Sequence, residues 1–284
     1  KNDLIRMMVG RELENLYPPH AFNQTDIQKE KPYLSFKDFT VKDQSGKTVV
    51  NSVNLDLYKG EILGIAGLIG AGRTEMMTAL FGTYPGTVEG VVTLDGKALT
   101  LKGPAEAIKN GIAYISEDRK KYGLVLGMDV RNNIVLANLK DYGSVVLDES
   151  GMTDTAQKYV KNLQIKVPDI EYKTNTLSGG NQQKVVLARW LSCKPRVIIF
   201  DEPTRGIDVA VKYEIYKMMN DIVADGVAVI MISSELEEVL GVSTRIAVMR
   251  EGEMVGCFPR SELNAETIGA MFVGDTLEKR CNHG

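Results

Sequence analysis

Residues 67–75 read GLIGAGRTE, which nearly matches G-x-x-x-x-G-K-[ST], the pattern of a phosphate-binding loop. Gly67, Gly72 and Thr74 are in register with the pattern, whereas Arg73 stands where the pattern has lysine. The preceding EILGIAG predicts a buried strand, and RTEMMTALF predicts a helix. Between such a strand and helix, loop amides and the helix N-terminus bind phosphate. The stretch therefore predicts an α/β protein with a phosphate loop that is altered at one position.

Composition excludes several other classes of function. Of 284 residues, 44% are hydrophobic and 25% are charged, which is typical of a globular protein. The net charge of −3 provides no basic field for nucleic acid, so we expect no nucleic-acid partner. The only histidines, His20 and His283, argue against a histidine metal site or a Ser-His-Asp triad. The cysteines, Cys193, Cys257 and Cys281, form no C-x-x-C pair, which indicates a reducing compartment.

Short apolar runs alternate with helical patterns over residues 33–260, and this alternation predicts an α/β domain with buried parallel strands. The polar, proline-containing stretch that ends at residue 32 predicts a linker, and residues 261–284 predict a C-terminal helix and tail. The strand candidates are YLSFKDF, VNLDL, EILGIAG, VVTL, IAYI, RVIIF, VAVIMI and RIAVM, and the main helix candidates are 74–81, 153–165, 181–193, 210–224 and 261–273.

The second motif is VIIFDEPT at residues 197–204. An apolar run that ends in Asp201 and Glu202 places two carboxylates at the C-terminal edge of a sheet, where ligands of such folds bind. Asp201 suits Mg²⁺, held through water, and Glu202 suits polarising an attacking water molecule. A strand that simply ends in an acidic loop would look the same if this motif stood alone.

The third motif is TLSGGNQQKVVLARWL at residues 176–191. Ser178, Gly179 and Gly180 immediately precede a predicted helix. A hydroxyl and flexible glycines at a helix start form a second candidate anion site. The same residues would also form a plain helix cap.

The three motifs, in this order, resemble the ATP-binding cassette family. The resemblance implies a mostly parallel sheet with an antiparallel β edge, a helical subdomain at about residues 125–175, and ATP and Mg²⁺ as cofactors. In that family the LSGG segment closes over ATP held by a partner cassette. The implied residues are Gly67, Gly70, Ala71, Gly72, Arg73 and Thr74 for the nucleotide, Thr74 and Asp201 for Mg²⁺, Glu202 as the catalytic base, and Leu177, Ser178, Gly179, Gly180, Asn181 and Gln182 for the signature that acts in trans.

The sequence departs from the family pattern around its own nucleotide site. Arg73 replaces the loop lysine, Glu117 stands at the glutamine-loop position, and Ser234 stands at the switch-histidine position. The usual aromatic platform for adenine falls near Gln44, whereas Asp208 matches the loop that joins the two sites. Because arginine is planar and bulkier than an ammonium group, it does not reproduce the reach of lysine. We therefore expect slow or absent hydrolysis at this site, and an intact signature that completes the partner's site.

The chain ends resemble each other, since LIRMMVGRELE at 4–14 aligns without gaps to IGAMFVGDTLE at 268–278. Chance similarity or a tandem duplication would explain this repeat, and duplication makes residues 1–32 the tail of a preceding cassette plus a linker. GEILGIAGLIGAGRTE, SEDRK, LSGGNQQK and DEPTRGIDV also resemble the second cassette of the fused two-cassette ATPases of bacterial monosaccharide importers (ribose, galactose and xylose type).

The resemblance to the ATPases of monosaccharide importers implies a set of partners and a cellular location. The partners are the N-terminal cassette of the same polypeptide, transmembrane permease subunits and, indirectly, a periplasmic or lipoprotein sugar-binding protein. The location is the cytoplasmic face of the bacterial inner membrane, with peripheral attachment. The basic cluster Arg119, Lys120 and Lys121 would meet phosphate, a partner or only water.

Two alternative functions stay open at this point. One is a non-hydrolysing regulatory or scaffold cassette that acts only through its signature. The other is a soluble cassette ATPase of DNA repair or translation. The spacing between Thr74 and Ser178 disfavours the repair type, which needs a very long insertion there, and the acidic composition disfavours the translation type.

Overall fold

The computed structural model describes residues 17–18, 31–100 and 102–274. Residues 4–14 of the terminal repeat, both histidines and Cys281 lie outside these residues. The strands are β1 (Leu34–Lys42), β2 (Thr48–Leu57), β3 (Ile62–Gly67), β4 (Thr87–Leu94), β5 (Lys97–Ala98), β6 (Ile112–Ile115), β7 (Val197–Asp201), β8 (Ala228–Ile232), β9 (Arg245–Arg250) and β10 (Glu253–Pro259). The α-helices are α1 (Arg73–Phe81), α2 (Pro104–Lys109), α3 (Val130–Val135), α4 (Glu149–Asn162), α5 (Gly179–Ser192), α6 (Val209–Ala224), α7 (Leu236–Val242) and α8 (Ala265–Phe272).

A six-stranded sheet in the order β10-β9-β3-β8-β7-β6 forms the centre of the domain. Strands β6, β7, β8, β3 and β9 run parallel, and β10 adds an antiparallel edge. Every residue of β7 and β8 is buried, as their continuous apolar sequences require of strands covered on both faces. Because the carboxyl ends of parallel strands share one edge, the loops after β3, β6, β7 and β8 lie at the same edge.

A second, four-stranded antiparallel sheet has the order β2-β1-β4-β5. Each predicted strand is present in one of the two sheets, whereas β5 and β10 were not predicted. Strand β10 contains Gly256 and Pro259, which interrupt its apolar sequence. Because glycine and proline are uncommon inside strands, the sequence pattern does not predict a strand there. The short helices α2, α3 and α7 were also absent from the main helix candidates, since six or seven residues barely establish a helical period.

The segment between β6 and β7 is helical and ends in α5, which starts at the predicted signature. A buried polar network holds α5 against α3. The Arg189 guanidinium donates from Nε to the Asn133 carbonyl and from Nη2 to Asn133 Oδ1, both at 2.7 Å. Burial lowers the pKa of Arg189 to about 10, so the two hydrogen bonds compensate for removal of this cation from water. They fix the orientation of the helix that carries the signature.

Among the described residues, no helix combines the length and apolar character needed to cross a membrane. The domain boundaries at residues 33 and 260 stay predictions.

Helix α8 packs against β9, and its start provides a test of local stability. Asn264 and Thr267 form a reciprocal capping box, in which Asn264 Oδ1 accepts from Thr267 N at 2.8 Å and Thr267 Oγ1 accepts from Asn264 N at 2.9 Å. We expect Asn264→Ala to lower the free energy of unfolding by about 1 kcal/mol. Denaturant unfolding measures the change. Asn162→Ala, an exposed position at the end of α4, is the control and should leave stability unchanged.

Candidate functional site

The loop between β3 and α1 has the geometry of an anion cradle. Gly70 and Gly72 have φ angles of 82° and 94°, in the left-handed region that favours glycine. A Cβ at Gly72 would lie 2.7 Å from the Val49 carbonyl oxygen, so no larger residue fits there. Gly72 leads into the first turn of α1, and Ala71 is buried beside it. The structure thus places the predicted loop residues around the N-terminus of one helix, with its amides available to phosphate.

Arg73 occupies the lysine position of the loop, but its side chain is already bonded to protein. The residue is 8% exposed, and Nη1 donates to the Ser233 carbonyl oxygen at 2.8 Å. Burial lowers the pKa of Arg73, although the nearby carboxylates of Glu202 and Asp201 favour its charged form. The guanidinium therefore ties the start of α1 to the loop after β8.

Thr74 and Asp201 come together as the sequence predicted, although they lie far apart in the chain. Thr74 Oγ1 donates to Asp201 Oδ1 at 3.2 Å, and Tyr114 Oη donates to Asp201 Oδ2 at 2.5 Å. Asp201 is fully buried, and burial raises its pKa while the two hydroxyl hydrogen bonds oppose this rise.

This donor set suits Mg²⁺ that is shared with a phosphate ligand. Within the part of the chain that the structure describes, no three His, Cys, Asp or Glu side chains form a metal cluster. One hydroxyl and one carboxylate leave most coordination positions to water and phosphate oxygens. Mg²⁺ at nucleotide sites is bound in this way, whereas Ca²⁺ needs more protein oxygens.

Glu202 and Ser234, predicted as the base and the switch position, are in direct contact. Ser234 Oγ donates to Glu202 Oε2 at 3.1 Å. Glu202 has a φ of 49°, an unfavourable left-handed conformation for a residue with a Cβ, and its backbone N–H donates to the Ile232 carbonyl at 2.9 Å. Such local strain at the end of β7 aims the carboxylate out of the sheet edge and toward the loop after β8.

Glu117 forms an ion pair with Arg205 in the turn after β7. Glu117 is the residue that stands at the glutamine-loop position, and the structure places a cation against its carboxylate. Both side chains are exposed, so the pair is weak by itself. Asp208 lies further along the same turn and caps α6 by accepting from Val211 N at 3.1 Å.

The signature residues form a second cluster at the start of α5. Ser178 is the exposed N-cap, and its Oγ accepts from Asn181 Nδ2 at 3.0 Å. Leu177 is half-buried against the apolar core beneath α5, and Gln182 Nε2 donates to the Thr174 carbonyl at 3.1 Å. The buried Gly180 completes the turn. Ser178 therefore presents its hydroxyl to solvent at the N-terminus of a long helix, which is the arrangement of a candidate anion site.

Comparison with protein-family models shows which family has this combination of phosphate loop, signature and acidic pair. The model of the ABC transporter family matches residues 50–205, which include the phosphate loop, the signature and the Asp201–Glu202 pair. The chain belongs to the ABC transporter family.

Curated relatives of this ABC protein are import ATP-binding proteins. It is 48% identical over 276 residues to the xylose import ATP-binding protein of Moorella thermoacetica, covering 96% of this chain and 54% of that protein. It is 47% identical over 273 residues to the ribose import ATP-binding protein of Clostridium perfringens, with coverages of 95% and 52%. The chain therefore spans about half the length of these relatives.

The fold comparison agrees with the family match. A solved ATP-binding cassette of an ABC transporter superposes with a TM-score of 0.74 at 22% identity, covering 86% of this chain and 98% of that chain. The predicted α/β cassette with a mostly parallel sheet, an antiparallel edge and a helical subdomain is confirmed.

Several residues of the ABC site were missed by sequence reasoning because they act through contacts distant in sequence. Tyr114 contacts Asp201, and Arg205 contacts Glu117. Arg119, from the basic cluster, lies against the signature: a Cβ at Gly179 would be 2.7 Å from Arg119 Nη2. Sequence analysis had named Arg119 in a basic cluster and left open whether it meets phosphate, a partner or only water.

A cavity of about 660 Å³ adjoins the candidate metal ligands. Its lining includes Thr74, Tyr114, Glu117, Trp190 and Asp201. The cavity therefore connects the candidate metal ligands with the helix that begins at the signature.

Proposed function

We propose that this chain is an ATP-binding subunit of a bacterial ABC importer for a monosaccharide, in which ATP binding and hydrolysis drive transport. The observation that carries the proposal is the Thr74–Asp201 contact beside the loop amides, with Glu202 next in the chain. The xylose and ribose import relatives support a monosaccharide as the transported substrate.

Each residue has a distinct role in this proposal. Amides of the loop between Gly67 and Thr74 bind the phosphates, except for the Ala71 amide, which donates to the Leu68 carbonyl at 3.0 Å. Thr74 and Asp201 would hold Mg²⁺, which would neutralise phosphate charge. Glu202 orients and deprotonates the attacking water, and the Ser234 hydroxyl holds the Glu202 carboxylate. Unlike a histidine, the serine has no cationic form to place beside a γ-phosphate.

The chain is further proposed to be the second cassette of a fused pair, with a degenerate site of its own. Its coverage of half of each relative is compatible with one cassette of two. The bonding of Arg73 to Ser233 supports weak phosphate contact in this site. The exposed Ser178 at the start of α5 supports an intact signature, which binds the γ-phosphate held by the partner cassette.

The proposed partners follow from this role. They are the N-terminal cassette of the same polypeptide, the transmembrane permease subunits and, through the permease, an extracytoplasmic sugar-binding protein. The proposed location is the cytoplasmic face of the bacterial inner membrane.

A non-hydrolysing scaffold cassette is the second candidate function. The observation that favours it is again Arg73, whose guanidinium is held by a protein carbonyl. In this case the chain contributes only Ser178, Gly179 and Gly180 to its partner's site.

Calorimetry with Mg·ATP tests whether the chain has a nucleotide site of its own. We expect saturable binding to the wild-type chain and at least a roughly tenfold weaker affinity in the Thr74→Ala, Arg73→Ala double variant, because a metal ligand and a charge are both lost. The control is Thr93→Ala with Lys97→Ala, on the antiparallel sheet. Absence of binding to the wild-type chain at millimolar ATP would contradict a nucleotide site here and favour the scaffold cassette.

A further inference from the structure

Asp201 is held by two hydroxyl groups, one on each carboxylate oxygen. Thr74 Oγ1 donates to Oδ1 at 3.2 Å, and Tyr114 Oη donates to Oδ2 at 2.5 Å. Thr74 is an exposed residue of the phosphate loop, so Oδ1 lies on the side of that loop, whereas Tyr114 approaches from neighbouring strand β6. The two oxygens of one buried carboxylate therefore have different partners and different tasks.

We propose that Tyr114 is a positioning residue for the metal site: its hydroxyl holds Oδ2 of Asp201 so that Oδ1 is presented to the metal of a bound nucleotide. This inference rests on the proposed function, since it assumes that Thr74 and Asp201 bind Mg²⁺. The terminal torsion of an aspartate is broad and poorly restrained by itself. A hydrogen bond to a charged acceptor restrains it and satisfies an oxygen that water does not reach.

The hydroxyl of Tyr114 is itself held in place by an aromatic cluster. The Tyr114 ring stacks on Phe81 with centroids 5.5 Å apart, and Phe81 meets Trp190 edge to face at 5.6 Å. Phe81 ends the helix that starts at the phosphate loop, and Trp190 lies on α5, the signature helix. The cluster thus fixes Tyr114 between the two helices that carry the two anion sites.

Tyr114→Phe tests the role, because it removes the hydroxyl and keeps the ring. We expect its affinity for ATP to fall about tenfold in Mg²⁺ and to stay within about twofold of wild type in EDTA. Calorimetry measures both conditions. Trp190, the chain's single tryptophan, gives an independent signal: the fluorescence change on adding Mg²⁺ to the ATP complex should require about tenfold more Mg²⁺ in the variant.

Tyr142→Phe is the matched control. It removes a hydroxyl that donates to Thr155 Oγ1 at 2.9 Å in the helical region. The affinity for ATP should therefore stay at the wild-type value both in Mg²⁺ and in EDTA. In an Asp201→Asn background, Tyr114→Phe should have no further effect on the Mg²⁺ dependence, since the carboxylate that it positions is gone.

The outcomes separate the inference from the proposed function. Equal losses by Tyr114→Phe in Mg²⁺ and EDTA would show a general structural role and overturn the inference, as would unchanged affinity in Mg²⁺. A wild-type chain that binds ATP in neither condition would overturn the proposed nucleotide site and this assignment together.

Discussion

In the proposed two-cassette protein, Ser178→Arg lowers ATP hydrolysis by about 100-fold or more, whereas Arg73→Ala lowers it by less than about tenfold. Ser178 is exposed at the N-terminus of α5, where its hydroxyl can be reached by a phosphate from outside the chain. An arginine there removes the hydroxyl and fills the approach with a long side chain. Arg73 already donates to the Ser233 carbonyl, so its removal changes phosphate binding less.

The measurement is ATP hydrolysis and sugar uptake by the full-length protein with its permease in vesicles. Ser144→Arg is the matched control, because Ser144 is exposed in the loop that precedes α4 and the substitution is chemically identical. Equal and complete loss in Ser178→Arg and Arg73→Ala would contradict the proposed division of labour between the two sites. Loss in Ser144→Arg would instead point to damage by the introduced charge.

Sequence predicted the strands and loops of the site well, because their signals are local. The apolar runs before Gly67 and Asp201 identify buried parallel strands, and the carboxyl ends of such strands must meet at one edge. The pairing of Thr74 with Asp201 at that edge was implied by the resemblance to the ATP-binding cassette family, and the structure brings the two side chains into contact. Likewise, Ser178 before an apolar helix predicted the N-cap that the structure contains.

The contacts that distinguish this site were not predictable in the same way. Arg73 was expected to attract phosphate, and the structure directs its guanidinium to the Ser233 carbonyl. Glu117 was noted as a departure at the glutamine-loop position, and the structure pairs it with Arg205. Both partners come from loops after other strands, so no periodicity or spacing in the sequence connects them. They depend on how the sheet orders its strands.

Glu238 is the clearest example of a residue whose contacts could not be predicted from the sequence. It is 2% exposed on α7 and accepts hydrogen bonds from Thr204 Oγ1 at 2.6 Å, Ser233 Oγ at 2.8 Å and Lys212 Nζ at 2.7 Å. Burial by itself would raise the pKa of Glu238, but these donors outweigh burial and hold the pKa below its ordinary value. One carboxylate thus joins the turn that follows Glu202 to the loop that carries Ser233.

Glu238→Ala should lower the free energy of unfolding by about 3 kcal/mol at pH 7, because it leaves buried hydroxyls without an acceptor and breaks a largely buried ion pair. Glu238→Gln, which keeps an acceptor oxygen, should cost about 1 kcal/mol. Glu237→Ala, its exposed neighbour on the same helix, is the control and should cost little.

The pH dependence of Glu238→Ala separates the charge of Glu238 from its packing. A carboxylate whose folded pKa is depressed stabilises the fold above its unfolded pKa of 4.5, and this contribution disappears as the pH falls through the folded value. The stability difference between wild type and Glu238→Ala should therefore shrink on acidification below about pH 4.5. Denaturant unfolding at pH 7 and at about pH 3 measures this difference. A difference that stays constant across that range would assign the effect to lost packing, and the carboxylate would not be the group that holds the two loops together.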